Sequence, residues 1–235
     1  MPDQSSTPRA HSSPRAHSSR LRAQRRAETQ RTIQAHAVRL FTERGYDATT
    51  VTDVAEAAGV SAMTVYRHFP TKEDLVLVDQ YGRLIAERIV ASPAAQPLAR
   101  RIGSALIDAA TSLTAGRHGD DLSGNEQFLL ARLQLMTSTP ALRARHLDNQ
   151  YALQQAIVDA LTDPAADPET AFHTQAAASA CLAAMHTALV RWAEDDGRSQ
   201  LPDLIAKALA AAFGDDVVDP GPEAGDNGRP RERET

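Results

Sequence analysis

At 235 residues the chain can hold one medium domain, or a small domain joined to a larger one, with a core that needs no staples. Its one cysteine, Cys181, excludes an internal disulfide and a cysteine-based zinc cage, which fits a reducing cytoplasm. The formal charge of -5 argues against a nucleic-acid partner until its distribution is read. Arg9, Arg15, Arg20, Arg22, Arg25, Arg26 and Arg31 face only Asp3 and Glu28 in the first 31 residues, whereas acidic residues dominate from Asp215 onward. Such separation favours an electrostatic contact at the basic end, although charged tails are also commonly just solvated.

Residues 1–20 are poor in apolar side chains and repeat Pro-Arg-Ala-His-Ser-Ser at 8–13 and 14–19. They are expected to form a disordered basic arm, because too little apolar surface is available to offset the ordering entropy. No apolar h-region marks a secretory signal, and no run approaches the ~20 residues of a membrane span. A cytoplasmic protein without membrane contact is expected.

Between the tails only helical patterns occur, which predicts an all-α protein of about nine helices. The first runs from roughly Arg22 to Arg44, with Ile33, Ala37, Leu40 and Phe41 on one face and Gly45 as its stop. Ser92-Pro93 with Pro97, Gly116 through Gly124, Thr139-Pro140, Pro164 through Pro168, and Gly197 separate the later helices. In Thr139-Pro140 and Asp167-Pro168 a capping residue precedes a proline suited to the first helical position. The expected division is a helix-turn-helix domain at 21–80, a ligand-binding and dimerisation domain at 81–214, and a disordered acidic tail at 215–235.

The most informative stretch is TTVTDVAEAAGVSAMTVYRHFPTKEDL, residues 49–75. Thr50 suits a helix N-cap, with Asp53 favouring the positive N-terminal end. Val51, Val54, Ala55 and Ala58 make an inner face, and Ala55 is small where a second helix crosses closely. Gly59 takes the left-handed conformation that ends the helix. Ser61 caps the next helix, where Val65 and Phe69 point inward and Ala62, Met63, Thr64, Tyr66, Arg67 and His68 point outward. Pro70 ends it, and Thr71 with Asp74 begins another. This geometry places the second helix in the DNA major groove. Thr64 suits a phosphate or a thymine methyl, Tyr66 a phosphate oxygen, His68 either, and Lys72 adds a charge at the start of the next helix. Taken singly, Tyr66 and His68 read equally as ordinary half-buried residues; the fixed order of cap, glycine, serine, tyrosine, phenylalanine and lysine favours DNA.

Thr50 to Ser61, Thr64 to Phe69 and Lys72 to Leu75 resemble the DNA-binding domain of the TetR family over about 50 residues, with Phe41 and Gly45 preceding them. The resemblance implies a homodimeric regulator, usually a repressor, that a small molecule releases from double-stranded operator DNA. It assigns DNA contacts to Thr50, Thr52, Ala62, Met63, Thr64, Tyr66, His68 and Lys72, beside which Ser61 and Arg67 complete the expected surface. Met63 departs from the family, which often has glycine there. Arg20 to Arg26 read either as a minor-groove arm or as a solvated extension.

Beyond Leu84 the chain carries less specific chemistry. Alanine-rich Ala171 to Trp192 suits a dimerisation bundle with Leu201 to Phe213, an internal core helix being the rival. Residues 128–136 and 139–146 resemble a TetR subgroup, including actinobacterial regulators, whose C-terminal domain takes acyl-CoA-like ligands. Phe128, Met136, Tyr151, His173, Cys181, Met185, His186 and Trp192 are candidate lining for a hydrophobic or acyl-CoA-like effector, with Arg132 or Arg143 meeting an anionic head. Plain core or surface packing competes with that reading at each position.

No catalytic motif is found: HExxH, GxSxG, the P-loop and the dinucleotide glycines are all missing from the sequence. His173 and Cys181 can align on one helix, but nothing joins them as a metal site. No enzyme activity, cofactor or metal is therefore expected. The alternatives are a constitutive architectural DNA-binding protein without effector and an enzyme with an unrecognised active site; against the first, the roughly 130 residues after Leu84 are more than dimerisation alone requires.

Overall fold

The computed structural model describes residues 14–77, 82–116, 121–162, 167–214 and 217, with side chains from Leu21 onward except at positions 83 and 84. Ten helices account for almost all of it, and no strand element occurs among the described residues. The chain divides into two compact units, Met1–Leu75 and Val76–Thr235. Among the described residues, no helix is long and apolar enough to cross a membrane.

The first unit contains α1 (Pro14–Arg44), α2 (Val51–Ala57), α3 (Ala62–His68) and the start of α4 (Asp74–Leu77). The expected apolar stripe of α1 is its buried face: Ile33, Ala37, Leu40 and Phe41 are all at most 2% exposed. Gly45, at φ +89°, turns the chain out of the helix while its N–H still donates to the Phe41 carbonyl. The tilted ring pair of Phe41 and Tyr46, 5.0 Å between centroids, closes that corner. The helix is recorded from Pro14, so residues 14–20, expected to be disordered, continue α1 instead. The arm's expected first part, residues 1–13, and the acidic tail apart from Val217 lie outside the described residues.

The second unit holds α5 (Gly82–Ala91), α6 (Leu98–Leu113), α7 (Gly124–Ser138), α8 (Pro140–Leu161), α9 (Pro168–Glu194) and α10 (Leu201–Phe213). Every break follows the expected punctuation, except that the helix read through 72–91 is described as α4 and α5, with 78–81 outside the described residues. Asp167 caps α9 by accepting from the Glu169 and Thr170 N–H groups, with Pro168 in the first turn. At Thr139 the proline is present but the threonine side chain makes no cap bond.

Helix α10 packs against α9 and α6. Gly103 of α6 admits Leu209, whose Cδ1 would lie 3.1 Å from any added Cβ. Gly197, at φ +72°, makes the α9–α10 turn beneath Leu122 and Trp192. Trp192 is fully buried and satisfies its indole by donating to the Ser199 carbonyl at 2.9 Å.

Candidate DNA-binding surface and effector cavity

The local sequence of the first unit builds a helix-turn-helix from its caps outward. Thr50 and Asp53 form a reciprocal capping box: the Asp53 N–H donates to Thr50 Oγ1 at 3.1 Å, and the Thr50 N–H donates to Asp53 Oδ2 at 2.7 Å. The Thr50 hydroxyl also donates to Asp53 Oδ2 at 2.6 Å, and that bond, followed by the one from the Thr50 N–H, holds the Asp53 carboxyl below its ordinary pKa. Ala55 is 1% exposed in α2, which packs against both α1 and α3. Gly59 stands at φ +67° between them. Ser61 then caps α3 by accepting the Thr64 N–H at 3.1 Å. Thr71 and Asp74 repeat the reciprocal arrangement at α4, at 3.0 and 3.3 Å.

Fully buried Val65 and nearly buried Phe69 anchor α3 and force its other face outward. Met63 is 75% exposed, Tyr66 is 49% exposed, and Arg67 is exposed as well. Thr50, Thr52 and Ser61 lie exposed at the helix ends, while Ala62, Thr64 and His68 are half-buried. The Thr64 hydroxyl shares a 2.9 Å hydrogen bond with that of Ser61, so part of its capacity is already used within the cap.

Lys72 does less facing outward than the sequence suggests. Its ammonium donates to the Tyr46 carbonyl and stands 4.2 Å from the Tyr46 ring centroid and 5.5 Å from that of Phe41. The Tyr46 hydroxyl in turn donates to Glu73 at 2.9 Å. Burial, followed by this bond and the Glu73 charge, pushes the phenol above its ordinary pKa. Lys72 is thus a brace between α1 and the start of α4.

The second unit carries a half-open apolar cavity of about 180 Å³. Its walls are mostly leucine, isoleucine and alanine, as at Leu106, Ala110, Leu133 and Ile205, and four polar side chains reach it: Arg132, His146, Asn149 and Gln150. Each has a partner. Arg132 donates through Nε to the Val76 carbonyl, with its guanidinium 5.6 Å from the Phe128 ring centroid. Asn149 donates to the Leu77 carbonyl at 2.7 Å and Gln150 to the Leu182 carbonyl at 3.0 Å. His146 Nε2 and His186 Nδ1 lie 3.0 Å apart with the rings stacked. Burial, then the neighbouring His186, lowers the His146 pKa to about 4, so the imidazole is neutral near pH 7.

Of the ten candidate ligand residues, the structure brings only Arg132 and Met185 to the cavity wall. Tyr151 is 62% exposed, and His173 points to solvent beside Glu169. Met136, Cys181 and Trp192 are core residues, at most 1% exposed. Phe128 supports Arg132 from outside the lining, and His186 acts through His146. Arg143 donates to the Thr137 carbonyl at 2.7 Å instead of entering the cavity. His146, Asn149 and Gln150 went unnoticed in sequence; their 3- and 4-residue spacing on α8 was the available signal. No cluster of histidine, cysteine and carboxylate that could hold a metal occurs among the described residues.

The chain thus joins a helix-turn-helix unit to an all-α unit with an apolar cavity. Residues 33–78 match the family model described as bacterial regulatory proteins, tetR family, and residues 122–213 match the MftR C-terminal domain. The two matches together span more than half of the sequence, and the chain belongs to the TetR family of transcriptional regulators. It is 31% identical over 112 residues to the HTH-type transcriptional regulator TcmR of Streptomyces glaucescens, covering 47% of this chain and 49% of that protein. A 40-residue stretch is 52% identical to the HTH-type transcriptional repressor KstR2 of Rhodococcus jostii, covering 17% of this chain and 20% of the relative. The chain thus spans about half, or less, of the length of these curated relatives. Native NalD of Pseudomonas aeruginosa, the secondary repressor of the MexAB-OprM efflux pump, superposes with a TM-score of 0.51 at 20% identity, over 80% of this chain and 97% of that one. That likeness is one of fold.

Proposed function

We propose that the protein is a homodimeric repressor whose α3 reads operator DNA and which leaves that DNA when a small, largely apolar molecule fills the cavity. The observation that carries the reading is α3 itself: a capped helix held from behind by Val65 and Phe69, with Met63, Tyr66 and Arg67 free in front. Met63 is suited to a thymine methyl, Tyr66 and the Thr50 and Thr52 hydroxyls to phosphate oxygens. The second copy is assigned to α9, which exposes Ala176, Ser179, Ala183 and Thr187 at helical spacing, small enough for a close helix approach.

The effector is inferred from the lining. A neutral imidazole and two amides among aliphatic walls favour an uncharged molecule with one or two hydrogen-bonding groups. An acyl chain suits those walls, whereas the phosphates of an acyl-CoA head would meet one cation, Arg132. Entry of a ligand also gives a route to DNA release. Arg132 and Asn149 hold the carbonyls of Val76 and Leu77, the last two residues of α4. A ligand that competes for either donor changes the hold on α4 and so favours one conformation of the chain over another.

Fluorescence anisotropy tests this with labelled DNA from upstream of the protein's own gene, followed by selection from random duplexes. Saturable, sequence-dependent binding that Tyr66→Phe weakens supports the repressor. Binding without sequence preference, unchanged by any apolar ligand, points instead to the architectural DNA-binding protein.

A further inference from the structure

A second concave feature lies in the first unit, on the side of α3 where the helix ends. It is a cleft of about 280 Å³ lined by Arg25, Arg26 and Thr29 of α1 and by Arg67 and His68 of α3. Helical spacing sets Thr29 one turn from both Arg25 and Arg26, and one turn before the buried Ile33. The other two form the last turn of α3. Three guanidiniums therefore line one cleft. No carboxylate is recorded pairing with any of them among the described residues. The His68 ring adds a buried Nδ1 that has no hydrogen-bond partner. Thr29 spends its hydroxyl on the Arg25 carbonyl at 2.9 Å and serves as floor.

We propose that Arg25, Arg26, Arg67 and His68 form a binding site for one backbone phosphate of DNA, adjoining the surface that reads the bases. A phosphate group is the ligand whose chemistry fits: a compact anion with several acceptor oxygens, matched by planar guanidinium donors and an imidazole nitrogen. The inference rests on the reading of α3 as the recognition helix, because the strand that borders a groove-bound helix passes its end. It adds to that reading a part for α1, whose arginines the helix-turn-helix pattern leaves unassigned. The cleft joins them to α3 through one shared ion, so α1 fixes where on the backbone α3 is seated. Burial, followed by the charges of Arg26 and Arg67, holds the His68 pKa below its ordinary value. A bound phosphate opposes those two charges.

The test uses the full chain and its Arg25→Gln/Arg26→Gln/Arg67→Gln variant, bound to a 24-base-pair duplex over a salt series. Thermal melts establish that both are folded, and single substitutions replace the triple variant if it is not. In parallel, the His68 imidazole is followed by NMR titration with duplex and, separately, with inorganic phosphate at matched ionic strength. One lost phosphate contact makes the log–log salt slope shallower by ~1. Such a change, with the His68 resonance moved by duplex and much less by inorganic phosphate, supports the proposal. An unchanged slope in a folded variant overturns it while leaving the α3 reading intact. A His68 response to inorganic phosphate alone, without any change in the DNA slope, overturns it in favour of a small-anion site. Wild-type protein that binds no duplex overturns both readings together.

Discussion

The Arg132 guanidinium, at the wall of the apolar cavity, donates to the backbone carbonyl of Val76. A charged donor is here placed on a backbone carbonyl of α4, where charge assistance strengthens the hydrogen bond. Arg132→Met preserves much of the apolar stem but leaves that carbonyl without this donor. A charge-assisted hydrogen bond of this kind is worth about 2 kcal/mol, so the variant should unfold at lower temperature by calorimetry. If α4 carries the response to ligand, its DNA affinity should also lose its dependence on any effector that wild type recognises.

Cavity filling separates ligand response from folding. Ala110, 4% exposed and in the wall, has free volume in front of it. Ala110→Leu should occupy part of the roughly 180 Å³ cavity with little loss of stability, since added methylenes enter space and not packed core. Effector binding, measured by calorimetric titration, should fall at least tenfold while DNA affinity stays within a factor of about 2.

At Gly59 the obstacle to substitution is conformation alone. Its φ is +67°, and a Cβ built there has no neighbour within 4 Å. Gly59→Ala should cost about 1 kcal/mol through the left-handed backbone, and Gly59→Asn distinctly less, by chemical denaturation. Equal losses for alanine and asparagine would mean that packing in the folded turn, and not its φ, sets the cost.

The His146 pKa of about 4 in the folded protein lies below that of a free histidine, about 6.5. The fold therefore favours the neutral ring, and its contribution is complete above pH 6.5. As pH falls towards 4 the unfolded chain takes up the proton first, and stability declines. With partial exposure discounted, the loss should reach about 2 kcal/mol. His146→Phe should flatten that part of the stability profile, measured by urea denaturation from pH 4 to pH 8.

Lys72→Met removes the contact with the Tyr46 carbonyl and the two ring contacts while keeping a long stem. The first unit should be destabilised by about 1–2 kcal/mol. Because the ammonium is engaged internally, the salt slope for DNA should change by less than the ~1 expected of a phosphate contact. A full unit of change would return Lys72 to the DNA surface.

The helix-turn-helix was legible because its determinants are local. Thr50, Gly59, Ser61 and Thr71 act on backbone groups within three residues, so spacing alone reports them. The start of α9 and the turn between α9 and α10 were legible for the same reason, through Asp167-Pro168 and Gly197. The cavity was not. His146, Asn149 and Gln150 sit in a polar stretch of α8 that resembles a solvated face, and only packing against α5 and α9 turns them inward. Conversely, Cys181 and Trp192 attract notice as chemistry but fill core space, a distinction that depends on neighbours distant in sequence. Nor does any local pattern announce that Arg25 and Arg67, 42 positions apart, line one cleft.

Cys181, the one thiol of the chain, is 0% exposed, lies 3.8 Å from the Ala99 carbonyl, and has its pKa pushed up to about 12 by burial. A thiol that is neither ionised nor reachable reacts slowly with peroxides, disulfides and alkylating probes. Cys181 is thereby shielded from thiol chemistry, and any cysteine introduced on the surface, at position 63 for instance, becomes a uniquely addressable handle for dyes or spin labels.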